Sequence, residues 1–308
     1  MKFVCESPEH HLLRYIENIK ARPQGWVAIG VYYSEKVDHT ELVSRPGEIK
    51  KFYKQITDES FKAAQIAAQL FDGVENCVVY QFSDGDVLIL GRPSSPKEQQ
   101  LFVRAFKQLD ELDDTIRCSH KPLSGDMYNI QKMVDGRMLS ARRVEAYLAM
   151  SDLNKCGTIP IRRKKREESL VMVVEDDQFT GTYATNIINK ETESILVKNG
   201  EEAIIQYIEH APDIVFLDIH LPGLCGHKTL DAIMHIDPDA YVIMLSVDAV
   251  KNSIVDAYKR GAAGFLKKPF SKERLLFNVG RSPFIRKPIF VDQETGLGGE
   301  AIDHTVIN

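Results

Sequence analysis

The stretch VFLDIHLPGLCG, residues 215–226, decides the fold. It opens on a short apolar run, ends that run on Asp218, and passes through Pro222 and Gly223 into a new segment. A continuous rather than alternating apolar run suits a strand buried on both faces of a parallel sheet. Working outward from DIVFL (213–217), the same pattern recurs in LVMVV (170–174), SILVK (194–198), AYVIMLS (240–246) and AGFLK (263–267). Helix-like segments near 178–190, 200–210, 226–236, 249–260 and 271–279 separate these runs. Strand and helix in regular alternation predict an α/β unit, a doubly wound parallel sheet of five strands. In such sheets the ligand site lies beyond the carboxyl ends of the strands, where strand order reverses.

Chemistry-bearing residues fall at that edge. The first strand ends in Glu175, Asp176 and Asp177, the third in Asp218, the fourth in Ser246 and the fifth in Lys268-Pro269. Clustered carboxylates repel one another, and a hard divalent cation such as Mg²⁺ relieves the repulsion through oxygen ligands. A carboxylate so placed can attack phosphorus to give an acyl phosphate. The phosphoryl oxygens then need positive charge, which the cation and the Lys268 ammonium supply, and a hydroxyl donor, which Ser246 supplies. The Lys268–Pro269 bond is a candidate cis peptide that would aim the lysine. Each of these residues alone has a plain structural explanation as a helix cap or turn. It is their joint placement at successive strand ends that points to phosphoryl chemistry.

The segments VVEDD (173–177), NGEEAI (199–204), DIVFLDIHLPGLCG (213–226), IMLSVDA (243–249) and RGAAGFLKKPF (260–270) resemble the receiver domain of two-component response regulators, over residues about 168–280. The resemblance implies a flavodoxin-like fold and Mg²⁺ as cofactor. It implies that Asp218 is the phosphoacceptor and that Glu175 and Asp176 form the acid pocket. Asp176 then binds metal directly, Glu175 through water, and His220 through its backbone carbonyl. Ser246 and Lys268 become the switch hydroxyl and phosphate-binding lysine, and Phe265 the aromatic switch. Val247 stands where the family usually has a smaller residue, which narrows access to the site. The last helix is expected to be short, because Gly280 and Pro283 close it.

The amino-terminal half is expected to be an α+β output or sensor-like unit over residues 1–150. HLLRYIENIK (11–20) reads as a helix entered through Ser7-Pro8, and WVAIGVYYS (26–34) as a strand. SFKAAQIAAQLF (60–71) reads as a helix capped at Thr57-Asp58, and NCVVYQF with DVLILGR as a hairpin turned at Ser83-Asp84-Gly85. Helices near 96–112 and 126–150 complete a partial ferredoxin-like (palm) order. The hairpin faintly resembles that of GGDEF-type nucleotide cyclases, but Asp84-Gly85-Asp86 lacks one glycine and the acidic fourth residue of that motif. The resemblance therefore implies a degenerate domain without cyclase activity. His10 and His11 near a helix start read as solvated side chains rather than phosphotransfer residues.

Between the halves, residues 151–168 carry five consecutive basic residues, Arg162 to Arg166, expected to be a solvated linker. Residues 281–308, with GLGG inside them, are expected to be a flexible tail. The 308 residues carry a net charge of −5, which gives no bulk attraction to nucleic acid or acidic lipid. Five scattered cysteines without CxxC spacing argue against a disulfide framework or zinc site and favour a reducing compartment such as the cytoplasm. No apolar run approaches the ~18 residues of a membrane span, and the first residues do not form a signal peptide.

The expected function is that of a phosphorelay response regulator. A histidine kinase or histidine phosphotransfer protein phosphorylates Asp218, and output passes through protein contacts of a non-catalytic amino-terminal half. The alternatives are a receiver-controlled enzyme of cyclic-dinucleotide metabolism and a phosphate sink. No helix-turn-helix or basic recognition helix argues for DNA binding. The downstream protein partner is undefined by sequence, and a homodimer stays open.

Overall fold

The computed structural model describes residues 2–22, 24–123, 127–247 and 251–286. The chain begins with β1 (Lys2–Val4), α1 (Pro8–Ala21), β2 (Val27–Tyr32), α2 (His39–Ser44) and α3 (Ile49–Leu70). It continues through β3 (Cys77–Gln81), β4 (Val87–Gly91), α4 (Pro96–Asp110), β5 (Arg117–Pro122) and α5 (Met127–Met150). The five strands lie in the order β1-β3-β4-β2-β5. All pairs are antiparallel except β1 with β3. From β2 to β5 the connections run strand, helices, hairpin, helix, strand, which is the ferredoxin-like order.

Successive residues of a strand point to opposite faces, and here both faces are covered. Val79, Val87 and Ile89 pack with Ala64, Ala67, Phe102 and Ala105 of α3 and α4. Val78, Tyr80, Leu88 and Leu90 pack with Leu12, Ile16, Ile130 and Val134 of α1 and α5. Each such fully buried aliphatic side chain contributes roughly 1.5–3 kcal/mol. Gly85, with φ of 85°, makes the β3–β4 turn that the sequence marks.

Two details of this half differ from expectation. The Thr57-Asp58 pair does not cap a helix, because α3 starts at Ile49 and runs straight through it. The buried stripe Ile49, Tyr53, Ile56, Ser60, Ala63 and Ala67 carries the helix across, while the Thr57 hydroxyl donates back to the Tyr53 carbonyl. Strand β5, RCSHKP, escapes pattern reading because it is a polar, largely exposed edge.

The joint is α6 (Leu153–Gly157) and α7 (Ile159–Lys165) rather than a solvated linker. Arg163 is 3% exposed and ion-paired to the equally buried Asp237. Its Nη2 also donates to the Tyr207 hydroxyl and its Nε to the Pro212 carbonyl. Arg162 donates to the carbonyls of Ile208 and Glu209, and Arg166 to the Asp213 carboxylate. These carbonyls belong to the carboxyl end of the helix over 200–210, where open acceptors and the helix dipole favour cations. The basic run is thus consumed in docking, leaving Lys164 and Lys165 exposed.

The carboxy-terminal unit comprises β6 (Leu170–Val174), α8 (Gln178–Ile188), β7 (Glu193–Val197), α9 (Gly200–His210), β8 (Ile214–Asp218) and α10 (Gly226–Ile236). It is completed by β9 (Val242–Ser246), α11 (Lys251–Lys259), β10 (Gly264–Lys267) and α12 (Lys272–Gly280). Its sheet is wholly parallel in the order β10-β9-β8-β6-β7, the flavodoxin-like arrangement whose switch point lies between β6 and β8. Met172, Val174, Val215 and Met244 face Ala203, Leu230 and Ala257 of α9, α10 and α11. Val171, Val173, Phe216 and Leu245 face Ala184, Ile188, Leu275 and Val279 of α8 and α12. The expected tail starts later than position 281, since the Ser282 hydroxyl donates to the Asp213 carbonyl and Phe284 lies under the Arg163 guanidinium at 4.3 Å. Residues 287–308 of that tail fall outside the described residues.

The two units share one apolar core: Val43 of α2 and Val144, Tyr147 and Met150 of α5 cluster with Ile204, Ile208, Leu224 and Ala232. No described helix is long and apolar enough to cross a membrane.

Two outcomes follow from this packing. Arg163→Ala strands the buried Asp237 carboxylate, and urea unfolding should show a loss of roughly 3–5 kcal/mol. His39, at the seam beside the Tyr147 hydroxyl (3.4 Å), has its pKa lowered to about 4, first by burial and then by Arg143 and Lys228. Between pH 6.5 and 4 the unfolded chain therefore binds the extra proton, so stability contributed by neutral His39 falls as the pH is lowered through that window. Denaturation midpoints measured across it should drop more steeply for wild type than for His39→Gln.

Candidate functional site

Beyond the ends of β6 and β8, one carboxylate oxygen each from Glu175, Asp176 and Asp218 lies within 4.8 Å of the others. The parallel sheet makes this cluster, because it brings the carboxyl ends of sequence-distant strands side by side. Glu175 is 1% exposed and Asp218 4%, whereas Asp176 is open to solvent. Asp177 stands apart from the cluster, since its carboxylate accepts from the Thr180 amide and caps α8.

The Lys268 ammonium reaches into this cluster from the end of β10, 2.6 Å from Glu175 Oε2 and 3.1 Å from Asp218 Oδ1. Burial pushes the Glu175 carboxyl above the usual carboxylate range, helped by the charge of Asp218 and opposed by the bond from Lys268. For Lys268 burial disfavours the charged form, but Glu175 and Asp218 outweigh it and raise its pKa. Among the described residues, one ammonium faces three carboxylates, which leaves two negative charges uncompensated. An all-oxygen donor set with that surplus fits a hard divalent cation, Mg²⁺ above softer metals.

The other sequence-derived residues line the same edge. Ser246 is 1% exposed at the end of β9, and Val247 beside it is 61% exposed at the rim. Phe265 lies on β10 opposite Met244 and packs, partly buried, against the core. The Lys268–Pro269 bond is cis. His220 is exposed in the loop after Asp218, and its imidazole is not part of the carboxylate cluster. Residues 248–250, which hold the end of the IMLSVDA segment, lie outside the described residues.

The loop after Asp218 is held unusually close. A Cβ on Gly226 would collide with the Asp218 carbonyl oxygen, and the Gly226 amide donates to the Ile219 carbonyl. Gly223, with φ of 77°, abuts the Glu201 carboxylate, where an added Cβ would meet Glu201 Oε1 at 2.5 Å. Glu201 is itself fully buried: Oε1 accepts from the Leu224 amide (3.1 Å) and from Nη2 of Arg143 on α5 (3.1 Å). Sequence reading missed this pairing, since Glu201 has the appearance of an acidic residue in the first turn of a helix.

In the amino-terminal half, Asp84 and Asp86 are buried and occupied. Asp86 accepts from the Ser34 amide and hydroxyl and from Arg137, and Asp84 accepts from Ser140 and Arg137. The pKa of Asp86 is raised to about 6 by burial and by Asp84, against the pull of Arg137. His11 is not solvated as expected; it bonds the Tyr80 hydroxyl and the Lys2 ammonium, while His10 is exposed.

Comparison with known proteins falls on the carboxy-terminal unit. Residues 171–279 match the family of response regulator receiver domains. The chemotaxis protein CheY of Listeria monocytogenes is 40% identical over 108 residues, which cover 34% of this chain and 91% of that protein. CheY of Thermotoga maritima is 35% identical over 108 residues, covering 34% and 90%. The sensory transduction protein LytT of Oceanobacillus iheyensis is 30% identical over 122 residues, covering 39% and 48%. The receiver domain of NtrX from Brucella abortus, a solved structure, is 31% identical, covers 36% of this chain and 96% of that one, and has a TM-score of 0.35.

The tight fit of Gly226 generates a direct expectation. Gly226→Ala must push the loop away from Asp218, and thermal or urea unfolding should show a loss of about 1–3 kcal/mol.

Proposed function

We propose that this chain, which belongs to the response regulator receiver family, is a phosphorelay response regulator whose Asp218 accepts a phosphoryl group and whose output is a change in protein contacts. The single observation that carries the proposal is the Glu175–Asp176–Asp218 cluster with Lys268 Nζ set between two of its members. The phosphodonor is a phosphohistidine on a histidine kinase or phosphotransfer protein.

In the transfer, an Asp218 carboxylate oxygen attacks phosphorus in line. The phosphorus–nitrogen bond breaks, and the imidazole nitrogen departs with the bonding pair and takes up a proton. Glu175, Asp176, Asp218 and the backbone carbonyl of His220 would hold Mg²⁺. When bound, that ion supplies the positive charge that neutralises the phosphoryl oxygens. Lys268, already directed at Asp218, holds one phosphoryl oxygen as an ion pair and lowers the cost of the charge that develops there. Ser246 donates its hydroxyl to another oxygen and moves toward it, and Phe265 on the neighbouring strand turns inward to fill the space. A local charge thereby biases a two-state element.

The amino-terminal half acts in this scheme as a non-catalytic contact domain. Its Asp84 and Asp86 share the Arg137 guanidinium and accept hydrogen bonds from Ser140 and Ser34, which supports a fastening role over metal binding for a cyclase-like reaction. The degenerate GGDEF-like origin proposed for this half accords with its ferredoxin-like strand order.

The test is incubation with Mg²⁺ and a small phosphodonor such as phosphoramidate, followed by intact-mass measurement. Wild type should gain one alkali-labile phosphoryl group and Asp218→Asn none. Lys268→Ala should slow the reaction by roughly 10²-fold. Undiminished labelling of Asp218→Asn would overturn the assignment.

A further inference from the structure

The face of the carboxy-terminal unit that meets the amino-terminal half is built from α9, α10 and the loop between Asp218 and α10. That loop is clasped from both sides. At one end Gly226 is pressed against the Asp218 carbonyl oxygen. In its middle the Leu224 amide donates to Glu201, and the Leu224 side chain, 3% exposed, lies in the apolar core shared with Tyr147 and Met150 of α5. A displacement of the loop therefore meets close-packed atoms in both units, and close-packed interiors shift between discrete arrangements rather than deform smoothly.

Glu201 is the electrostatic hinge of this contact. It is 0% exposed, and its Oε1 is shared between the Leu224 amide and two donors of Arg143, Nε at 3.2 Å and Nη2 at 3.1 Å. Among the described residues its buried Oε2 finds no hydrogen-bond partner. A buried carboxylate that is only half satisfied is poised to exchange partners when a neighbouring donor moves. Arg143 is fixed in turn because α5 is anchored nearer its start. Arg137 and Ser140, on preceding turns of the same helix, hold Asp84 and Asp86 at the β3–β4 turn. One continuous helix thus connects the loop beside Asp218 to the hairpin of the amino-terminal half.

We propose that Leu224, Glu201 and Arg143 form a relay through which the phosphorylation state of Asp218 is passed to α5 and along it to the β3–β4 hairpin. The inference rests on Asp218 being the phosphoacceptor. Loading of Asp218 shifts the 219–226 loop, the Leu224 amide alters its hold on Glu201, and Arg143 redistributes between the two carboxylate oxygens. Arg143 is a positioning residue here and touches no reacting atom. The signal enters the amino-terminal half through the α9–α10 face, leaving the exposed side chains Tyr258 of α11 and Phe277 of α12 on the other flank outside the relay.

The experiment uses the full chain with Mg²⁺ and beryllofluoride as the phosphoryl mimic. Fluorine NMR reports whether the mimic binds, and hydrogen exchange reports the α5 peptides. Wild type should bind the mimic and change the exchange rates of α5 amides by at least about twofold, since local opening equilibria set these rates. The double variant Arg143→Gln/Glu201→Gln, which leaves no buried unpaired charge, should bind the mimic equally and lose the α5 response. The single variant Glu201→Gln, close in shape to wild type, should weaken the response in the same direction. An α5 response that persists at full size in the double variant, or is missing in loaded wild type, overturns the relay. Absence of bound mimic in wild type overturns the phosphoacceptor assignment itself, and the relay with it.

Discussion

The structure turns on the confrontation of Glu175, Asp176 and Asp218 with a single ammonium, Lys268. Three carboxylates cannot be gathered at the edge of a sheet at no cost, and one half-buried lysine offsets only part of their repulsion. The parallel sheet forces the encounter, since it aligns the ends of β6, β8 and β10 whatever their separation along the chain. That surplus of carboxylates suits the site to a hard divalent cation. In the proposed function the cation and Lys268 then offset the negative charge of the incoming phosphoryl group.

The second organising feature is the seam between the two units. It combines an apolar cluster around Tyr147, Met150, Ile204 and Leu224 with the buried Arg143–Glu201 pair. Alongside it, α7 fastens the end of α9 through Arg162, Arg163 and Arg166. Arg162 donates to carbonyls at the end of α9, Arg163 to the Pro212 carbonyl and Arg166 to Asp213, so residues that read as a solvated basic linker act as a clamp. The joint between the halves is consequently well packed, and in the proposed relay it is this packing that passes the state of Asp218 to the amino-terminal half.

Within the amino-terminal half, the residues that resemble a nucleotide-cyclase hairpin serve cohesion. Asp84 and Asp86 direct their oxygens to Ser34, Arg137 and Ser140. Burying two carboxylates beside one guanidinium is costly in itself, and the arrangement fixes the register of α5 against the sheet.

Much of the carboxy-terminal unit was legible in the sequence by itself. Its five apolar runs and the helices between them correspond closely to the observed elements, because strands buried on both faces leave an unbroken hydrophobic signature. The acidic residues, the serine and the lysine were legible as strand-end groups for the same reason. Amino-terminal elements with strong periodicity, the β3–β4 hairpin and α4 among them, were equally readable. Tertiary structure alone decided the rest. The three-residue β1 and the polar edge β5 owe their existence to partners rather than to their own pattern. The helical path through Thr57 depends on a buried stripe that begins before it. Whether Arg163 is solvated or buried, and whether Glu201 caps a dipole or pairs with Arg143, depends on which charges a distant segment brings within reach. Periodicity is a local property and can be read along the chain; charge pairing across a seam is a property of the assembled fold.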